Sequence, residues 1–194
     1  MDRTYLDDAE VGIGTRNDAV LVCVTDGTER ARLASVLRQD YPVRTADSES
    51  DALASLDGNV TVLVVDETSD EFALDRLVET GTERDCRFQV AAIADAPVAE
   101  LLRDRCDGVV ENPIDDQTLR TTVRWLHRRG RYDRTLATYY SLSERYAELV
   151  TGTDATADEL ASVEEQLARL REELDDVGDS LEDGDAFEVA LSRD

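Results

Sequence analysis

The chain has 194 residues and a formal net charge of −24, with 45 Asp and Glu against 21 basic residues, all of them Arg. That length holds one domain of ordinary size plus an appendage. Acidity of this strength argues against nonspecific binding to nucleic acid or to a membrane surface, both of which attract basic proteins.

Arginine without lysine on an acidic background suggests adaptation to high salt, where self-repulsion is screened. The alternative is a GC-rich genome encoding an acidic, solvent-facing protein. Cys23, Cys86 and Cys106 are odd in number and widely spaced, with no CxxC and a single His. Neither a disulfide framework nor a zinc site is expected, and the cysteines in apolar runs read as small core residues. No signal peptide or run of membrane-spanning length is visible, so a soluble, cytoplasmic protein is expected.

Residues 1–18 read as a loose, polar extension broken by Gly12 and Gly14. Ala19–Val24 predicts a buried strand, and Thr25-Asp26-Gly27-Thr28 a loop. From Glu29 the spacing is helical, with Ala31, Leu33, Ala34, Val36 and Leu37 in one stripe. Pro42 closes that helix and Val43–Thr45 predicts a short strand. Ser48-Glu49-Ser50-Asp51 resembles a capping box, opening a helix with Ala52, Leu53 and Leu56 inward and Gly58 at its end.

Val60-Thr61-Val62-Leu63-Val64-Val65-Asp66 is the strongest strand signal, a β-branched run suited to a strand covered on both faces and closed by a carboxylate. A helix is expected near Phe72–Thr80, with Leu74, Leu77 and Val78 inward and Gly81 as its stop. Phe88–Ile93 predicts a strand, Val98–Cys106 a helix, and Gly108–Val110 a short strand. Glu111-Asn112-Pro113 follows, and Asp115 or Asp116 begins a helix carrying Leu119, Val123 and Leu126.

Five strand–helix alternations predict a parallel sheet with helices on both faces. Their compactness fits the flavodoxin-like strand order 2-1-3-4-5, in which ligand chemistry lies beyond the carboxyl ends of the strands. That order brings Asp26 and Asp66 close together.

These pieces carry a resemblance. Residues 19–129 resemble a response-regulator receiver domain, through the first strand with its acidic loop, Val64-Val65-Asp66, Asn112-Pro113 and the helix spacing. The resemblance implies that Asp66 is the phosphoacceptor, a carboxylate nucleophile held beside Mg²⁺. It implies metal ligands at Asp26, Asp66 and the carbonyl of Thr68, with Thr25 where the family has a second acid. The departures are specific. Ala94 replaces the switch hydroxyl, Asn112 replaces the lysine that pairs with the phosphoryl group, and Glu67 and Asp70 add negative charge. Each lost anchor removes a charge-assisted bond of roughly 1.5–3 kcal/mol, so a degenerate receiver, or pseudo-receiver, is expected.

Beyond it, six Arg lie between 120 and 134. Arg124, Arg128, Arg129 and Arg131 read either as a docking patch for an acidic partner or as a solvated helix end. His127 has no metal partners in sequence and belongs to this face. Tyr132–Val150 is helical and carries four of the six tyrosines, a stripe that suits a helix–helix core. After a turn at Thr151–Thr156, Leu160, Val163, Leu167, Leu170, Leu174, Val177 and Leu181 form a heptad seam. Its partner is the preceding helix folded back or a second chain. Gly178 and Gly184 are expected to loosen the end, with Phe187 and Leu191 anchoring a last helical turn.

A receiver, a tyrosine-bearing helix, an acidic heptad helix and a terminal Asp-Ala-Phe together resemble the HalX family, a domain that follows receivers in halophilic archaea. The expected domains are 1–18, 19–130 (receiver-like) and 131–194 (HalX-like helical hairpin or coiled coil). Residues 132–194 hold 18 acids against 5 Arg, a poor match to DNA. The expected function is a regulatory protein in phosphorelay signal transduction, an atypical response regulator that is not an enzyme and works by protein contact. Its partner is a histidine kinase, another regulator or itself. No cofactor is required, with Mg²⁺ at the Asp26, Asp66, Thr68 position as the one candidate. The alternative is a response regulator phosphorylated at Asp66 that controls transcription with DNA contact. No GxGxxG, P-loop or nucleophile elbow supports an enzyme.

Overall fold

The computed structural model describes residues 18–152 and 156–191, with side chains described as far as Gly178. The order is β1 (Ala19–Cys23), α1 (Gly27–Leu37), β2 (Val43–Ala46), α2 (Glu49–Ser55), β3 (Val60–Asp66), α3 (Leu74–Glu83), β4 (Gln89–Ala94), α4 (Ala96–Leu102), β5 (Gly108–Glu111), α5 (Asp116–Thr151) and α6 (Ala157–Leu191). The strands form one parallel sheet in the order β2-β1-β3-β4-β5, as expected.

The unbroken apolar run of β3 follows from burial on both faces. Val62 and Val64 point into one core, with Leu33 and Leu37 of α1 and Leu119, Val123 and Leu126 of α5. Leu63 and Val65 point into the other, with Ala52 of α2 and Leu74 and Leu77 of α3. Thr61, fully buried, satisfies its hydroxyl by donating to the Ala19 carbonyl at 3.2 Å.

Local signals account for the helix starts. Asp26 caps α1 by accepting from the Glu29 amide at 2.7 Å, Ser48 caps α2 through the Asp51 amide, and Asp115 caps α5 through the Thr118 amide at 2.8 Å. These are side-chain oxygens meeting unpaired amides of the first turn.

Several expectations are corrected. Ala31 is exposed rather than inward, because the stripe that meets the sheet is Leu33, Ala34, Val36 and Leu37. The third helix starts at Leu74, after buried Phe72, and runs through Gly81 instead of stopping there. A Cβ at Gly81 would sit 2.4 Å from the Phe88 ring, so this glycine is a packing requirement. Val78 is 40% exposed, since Leu74 and Leu77 take the inward positions. The fourth helix starts at Ala96, with Pro97 in its first turn.

The expected boundary at 130/131 falls inside α5, which is continuous for 36 residues. Its first half closes the sheet and its second half pairs with α6. Gly130 sits where the helix crosses the sheet, with the Thr61 carbonyl 3.3 Å from where its Cβ would be. The fold-back alternative for the heptad seam is what forms. Leu142 packs with Val163 and Leu170, bordered by Tyr139, Tyr146, Leu149 and Leu167. Gly178 and Gly184 do not interrupt α6, which stays helical to Leu191. Of the expected loose stretch 1–18, Asp18 is held by Arg134 at 2.8 Å, while residues 1–17, the middle of the turn (153–155) and the side chains of Leu181, Phe187 and Leu191 lie outside the described residues.

Candidate functional site

Register brings the loop that carries Asp26 and the end of β3 to the same edge of the sheet. Cys23 pairs with Val65 and Asp66 with Ile93, so the chain beyond β1 and the last residue of β3 meet at the carboxyl edge of the sheet. Adjacent strands lie about 4.8 Å apart, and Ala94 and Asn112 sit at the same edge, with the Asn112 amide donating to the Ala94 carbonyl at 3.0 Å.

Asp66 is half-buried. Its Oδ1 accepts twice from Thr68, from the amide at 3.0 Å and the hydroxyl at 2.6 Å. The loop is thus folded onto the carboxylate as a local side-chain turn. Asp26 has one oxygen committed to capping α1. Thr25 is exposed and brings no carboxylate.

One residue at this edge was not among the sequence candidates. Arg30 donates from Nη1 to the carbonyls of Val24 (2.7 Å) and Thr25 (2.9 Å), and from Nη2 to Asp47 (3.3 Å). Its side chain is only 20% exposed. A fixed guanidinium is therefore locked onto the loop where the resemblance implies an acid pair. The signal was present in sequence as an arginine one turn past the Asp26 cap, but the carbonyl geometry was not.

Ala94 and Asn112, the other positions that the resemblance singles out, have these surroundings. Ala94 is fully buried in a small apolar cluster with Ala92, Ala99 and Leu102. The Asn112 amide nitrogen donates to Asp95 Oδ1 at 3.2 Å, tying the loop after β5 to the start of α4. Glu67 is half-buried next to Asp66 in the chain, and its Oε1 is buried with no hydrogen-bond partner among the described residues. Burial pushes its carboxyl above the usual range, opposed by Arg105 and reinforced by Asp75 and Asp66.

A Mg²⁺ ion asks for six oxygens in near-octahedral array. The edge offers two carboxylates, each with one oxygen already bonded to a backbone amide, and a hydroxyl residue in the third acid's place. Among the described residues no group of three or more His, Cys, Asp or Glu side chains is placed to hold a metal ion. The donor set fits the ion poorly.

The arginines beyond the sheet are engaged within the chain. Arg124 and Arg128 flank Tyr41, whose hydroxyl pKa is raised by burial and by Asp40 and pulled back by the two guanidiniums. Arg129 lies 5.4 Å over the Trp125 ring, and Arg131 pairs with Glu173 at 2.7 Å. Arg134 bonds Asp18 at 2.8 Å, with His127 Nε2 3.7 Å from the same carboxylate. A groove of about 620 Å³ opens at the opposite end of the sheet, between Val78, Phe88, Gln89, Leu136 and Tyr140. Arg105 and Asp107 line it as well, and Asp66 does not.

Comparison with known proteins separates the two halves. Residues 128–191 match the HalX domain. The fold is similar to the signal receiver domain of a protein described as a Luxo repressor from Vibrio parahaemolyticus (14% identity, TM-score 0.53, covering 62% of this chain and 97% of that one). It is also similar to the signal receiver domain of an HD domain-containing protein from Pseudomonas fluorescens Pf-5 (18% identity, TM-score 0.52, covering 64% and 97%). A third similar structure is a response regulator receiver modulated diguanylate cyclase from Pelobacter carbinolicus (15% identity, TM-score 0.50, covering 60% and 97%). No curated protein matches the chain in sequence. At these identities the structural likeness shows the fold. Among the described residues no helix is long and apolar enough to cross a membrane.

Proposed function

We propose that this chain, a receiver-fold domain joined by one continuous helix to a HalX domain, is a cytoplasmic signalling regulator that acts by protein contact with little or no phosphorylation switching. The observation that carries this reading is the state of the switch positions. Asn112 is tied to Asp95, and Ala94 has no hydroxyl to move. A ligand shifts an equilibrium only through contacts that differ between the two states, and a phosphoryl group on Asp66 would find neither anchor. Thr25 and Arg30 support the same reading, because Thr25 brings no carboxylate and Arg30 fixes a positive charge on the same loop through the Val24 and Thr25 carbonyls. On this reading the protein is not an enzyme and needs no cofactor.

A phosphorylatable regulator is the second reading, favoured by Asp66 being half-buried at the strand end, on the sheet edge that also carries the Asp26 loop. Its step is attack of an Asp66 oxygen on phosphorus of an acyl phosphate, forming the aspartyl phosphate and releasing the carboxylate. Intact-mass measurement after incubation with Mg²⁺ and acetyl phosphate distinguishes the two. No added phosphoryl group is expected. An added phosphoryl group that is absent in Asp66→Asn refutes the proposal and establishes the second reading. DNA contact is disfavoured by the charge of the helical half and by the internal engagement of its arginines.

A further inference from the structure

The two long helices form an antiparallel pair whose two flanks differ. On α5, Tyr132, Thr135, Tyr139, Leu142, Tyr146 and Leu149 follow the 3,4 spacing that faces α6. One flank of the pair is charged: Arg131 bonds Glu173, and Glu159, whose carboxyl is held below its usual range first by the Thr156 amide and hydroxyl, also feels the charge of Arg145. These are matching flank positions of an antiparallel heptad pair.

The other flank is mostly apolar, with Glu164 and Arg171 set among the leucines and alanines of α6 and one Glu164 oxygen accepting from the Tyr146 hydroxyl at 2.6 Å. Leu136, Tyr140, Ser143, Ala147 and Val150 repeat at spacings of 4, 3, 4 and 3, one residue round from the buried seam. Tyr140 and Val150 are 60% and 56% exposed. Across the seam α6 adds exposed Ala161 and Ala168 and the half-buried row Leu160, Leu167 and Leu174. The alternate row, Val163, Leu170 and Val177, is 4–9% exposed. One hairpin therefore uses half of the heptad seam and leaves the other half partly in water. The strip ends toward the sheet at Asp133 and Asp175. Large one-sided apolar surfaces of this kind mark interaction sites.

We propose that this strip is a homodimer interface, in which α6 packs antiparallel on α6 of a second copy to complete a four-helix bundle. The pattern of the strip is self-complementary about a two-fold axis between Leu167 and Ala168. In that arrangement Leu167 meets Ala168 of the partner, Leu174 meets Ala161, and Glu164 meets Arg171. Large faces small and acid faces base, each twice by symmetry. Arg171 is exposed and makes no ion pair among the described residues. It is the cation this arrangement uses. The remaining exposed faces carry the excess acid, Glu165, Glu172 and Asp176 among them, and the two-fold axis keeps those faces apart. This goes beyond the phosphorylation-independent reading above and stands or falls separately from it.

Multi-angle light scattering of the full chain in molar KCl, at micromolar concentrations, tests it. A dimer is expected. Arg171→Glu is expected to weaken it roughly tenfold or more, because it sets Glu against Glu at two places. Glu164→Arg combined with Arg171→Glu restores the dimer by exchanging the pair. Circular dichroism of each variant checks that the hairpin is intact, and Ala168→Cys, at an exposed site off the seam, is expected to cross-link across the axis under oxidation. A monomer overturns the proposal, including a monomer whose strip is taken by a different protein. A dimer indifferent to Arg171→Glu, or one that the double exchange fails to restore, overturns it as well.

Discussion

Arg134→Met tests how the receiver half is tied to the long helix. Arg134 and Asp18 are 12% and 19% exposed and 2.8 Å apart, joining the residue before β1 to the middle of α5. Methionine keeps most of the aliphatic stem and removes the charge. Breaking a largely buried pair leaves its partner's charge uncompensated, and a loss of about 3 kcal/mol is expected at neutral pH. His127 supplies a second readout. Burial lowers its pKa below the usual value, Asp18 opposes that, and Arg131 and Arg134 reinforce it. Because the folded value is depressed, the unfolded chain takes up the proton first, and the wild type loses stability as pH falls through about 6.5. Without Arg134, the attraction of Asp18 for a protonated imidazole is less opposed, so the folded value rises and this acid-side loss shrinks. Urea unfolding at about pH 8 and about pH 5.5, on either side of the ordinary histidine value, should show a smaller effect of the substitution at the lower pH. His127→Gln in the same background should abolish the difference. A loss below about 0.5 kcal/mol, the scale of an exposed pair, or one identical at both pH values, would refute the reasoning.

Other outcomes follow from packing and burial. Leu170→Ala removes a side chain 5% exposed at the centre of the helical pair, and a loss of about 3 kcal/mol is expected in calorimetry, with hydrogen exchange rising in 135–170 while the sheet stays protected. Gly81→Ala drives a methyl into the Phe88 ring and should lower stability by about 1–3 kcal/mol in urea titration. The Cys23 thiol is pushed by burial up to about 12 and that of Cys106 up to about 11. Cys86, half-buried with a smaller rise, should react first with iodoacetamide in the native protein, as peptide mapping would show.

What was readable in the sequence was whatever depends on period. The apolar runs from Ala19, Val60 and Phe88 located the strands, and the Ser48 and Asp115 caps located two helix starts. Glycine misled twice for opposite reasons. Gly81 stays inside α3 because a neighbouring ring needs its space, and Gly178 stays inside α6 because a heptad seam outweighs a propensity cost of about 1 kcal/mol. Arg30 was not legible as part of the site, since its partners are carbonyls that only the folded loop turns toward it. The continuity of α5 was also hidden. Composition changes at residue 130, but the backbone hydrogen bonds do not.

At 1.5 Å per residue, the 21 residues of α5 beyond Gly130 reach about 30 Å from the sheet. The part of α5 before Gly130 is clamped by Leu119, Val123 and Leu126, and the glycine rests on the backbone of β3 like a fulcrum. A tilt of about 5° at the clamp would sweep the far tip through about 3 Å, the size of displacement that switches packed interfaces. A protein seated on the receiver half could thus be felt at the hairpin as leverage, with no chemistry at Asp66 and no local unfolding between them.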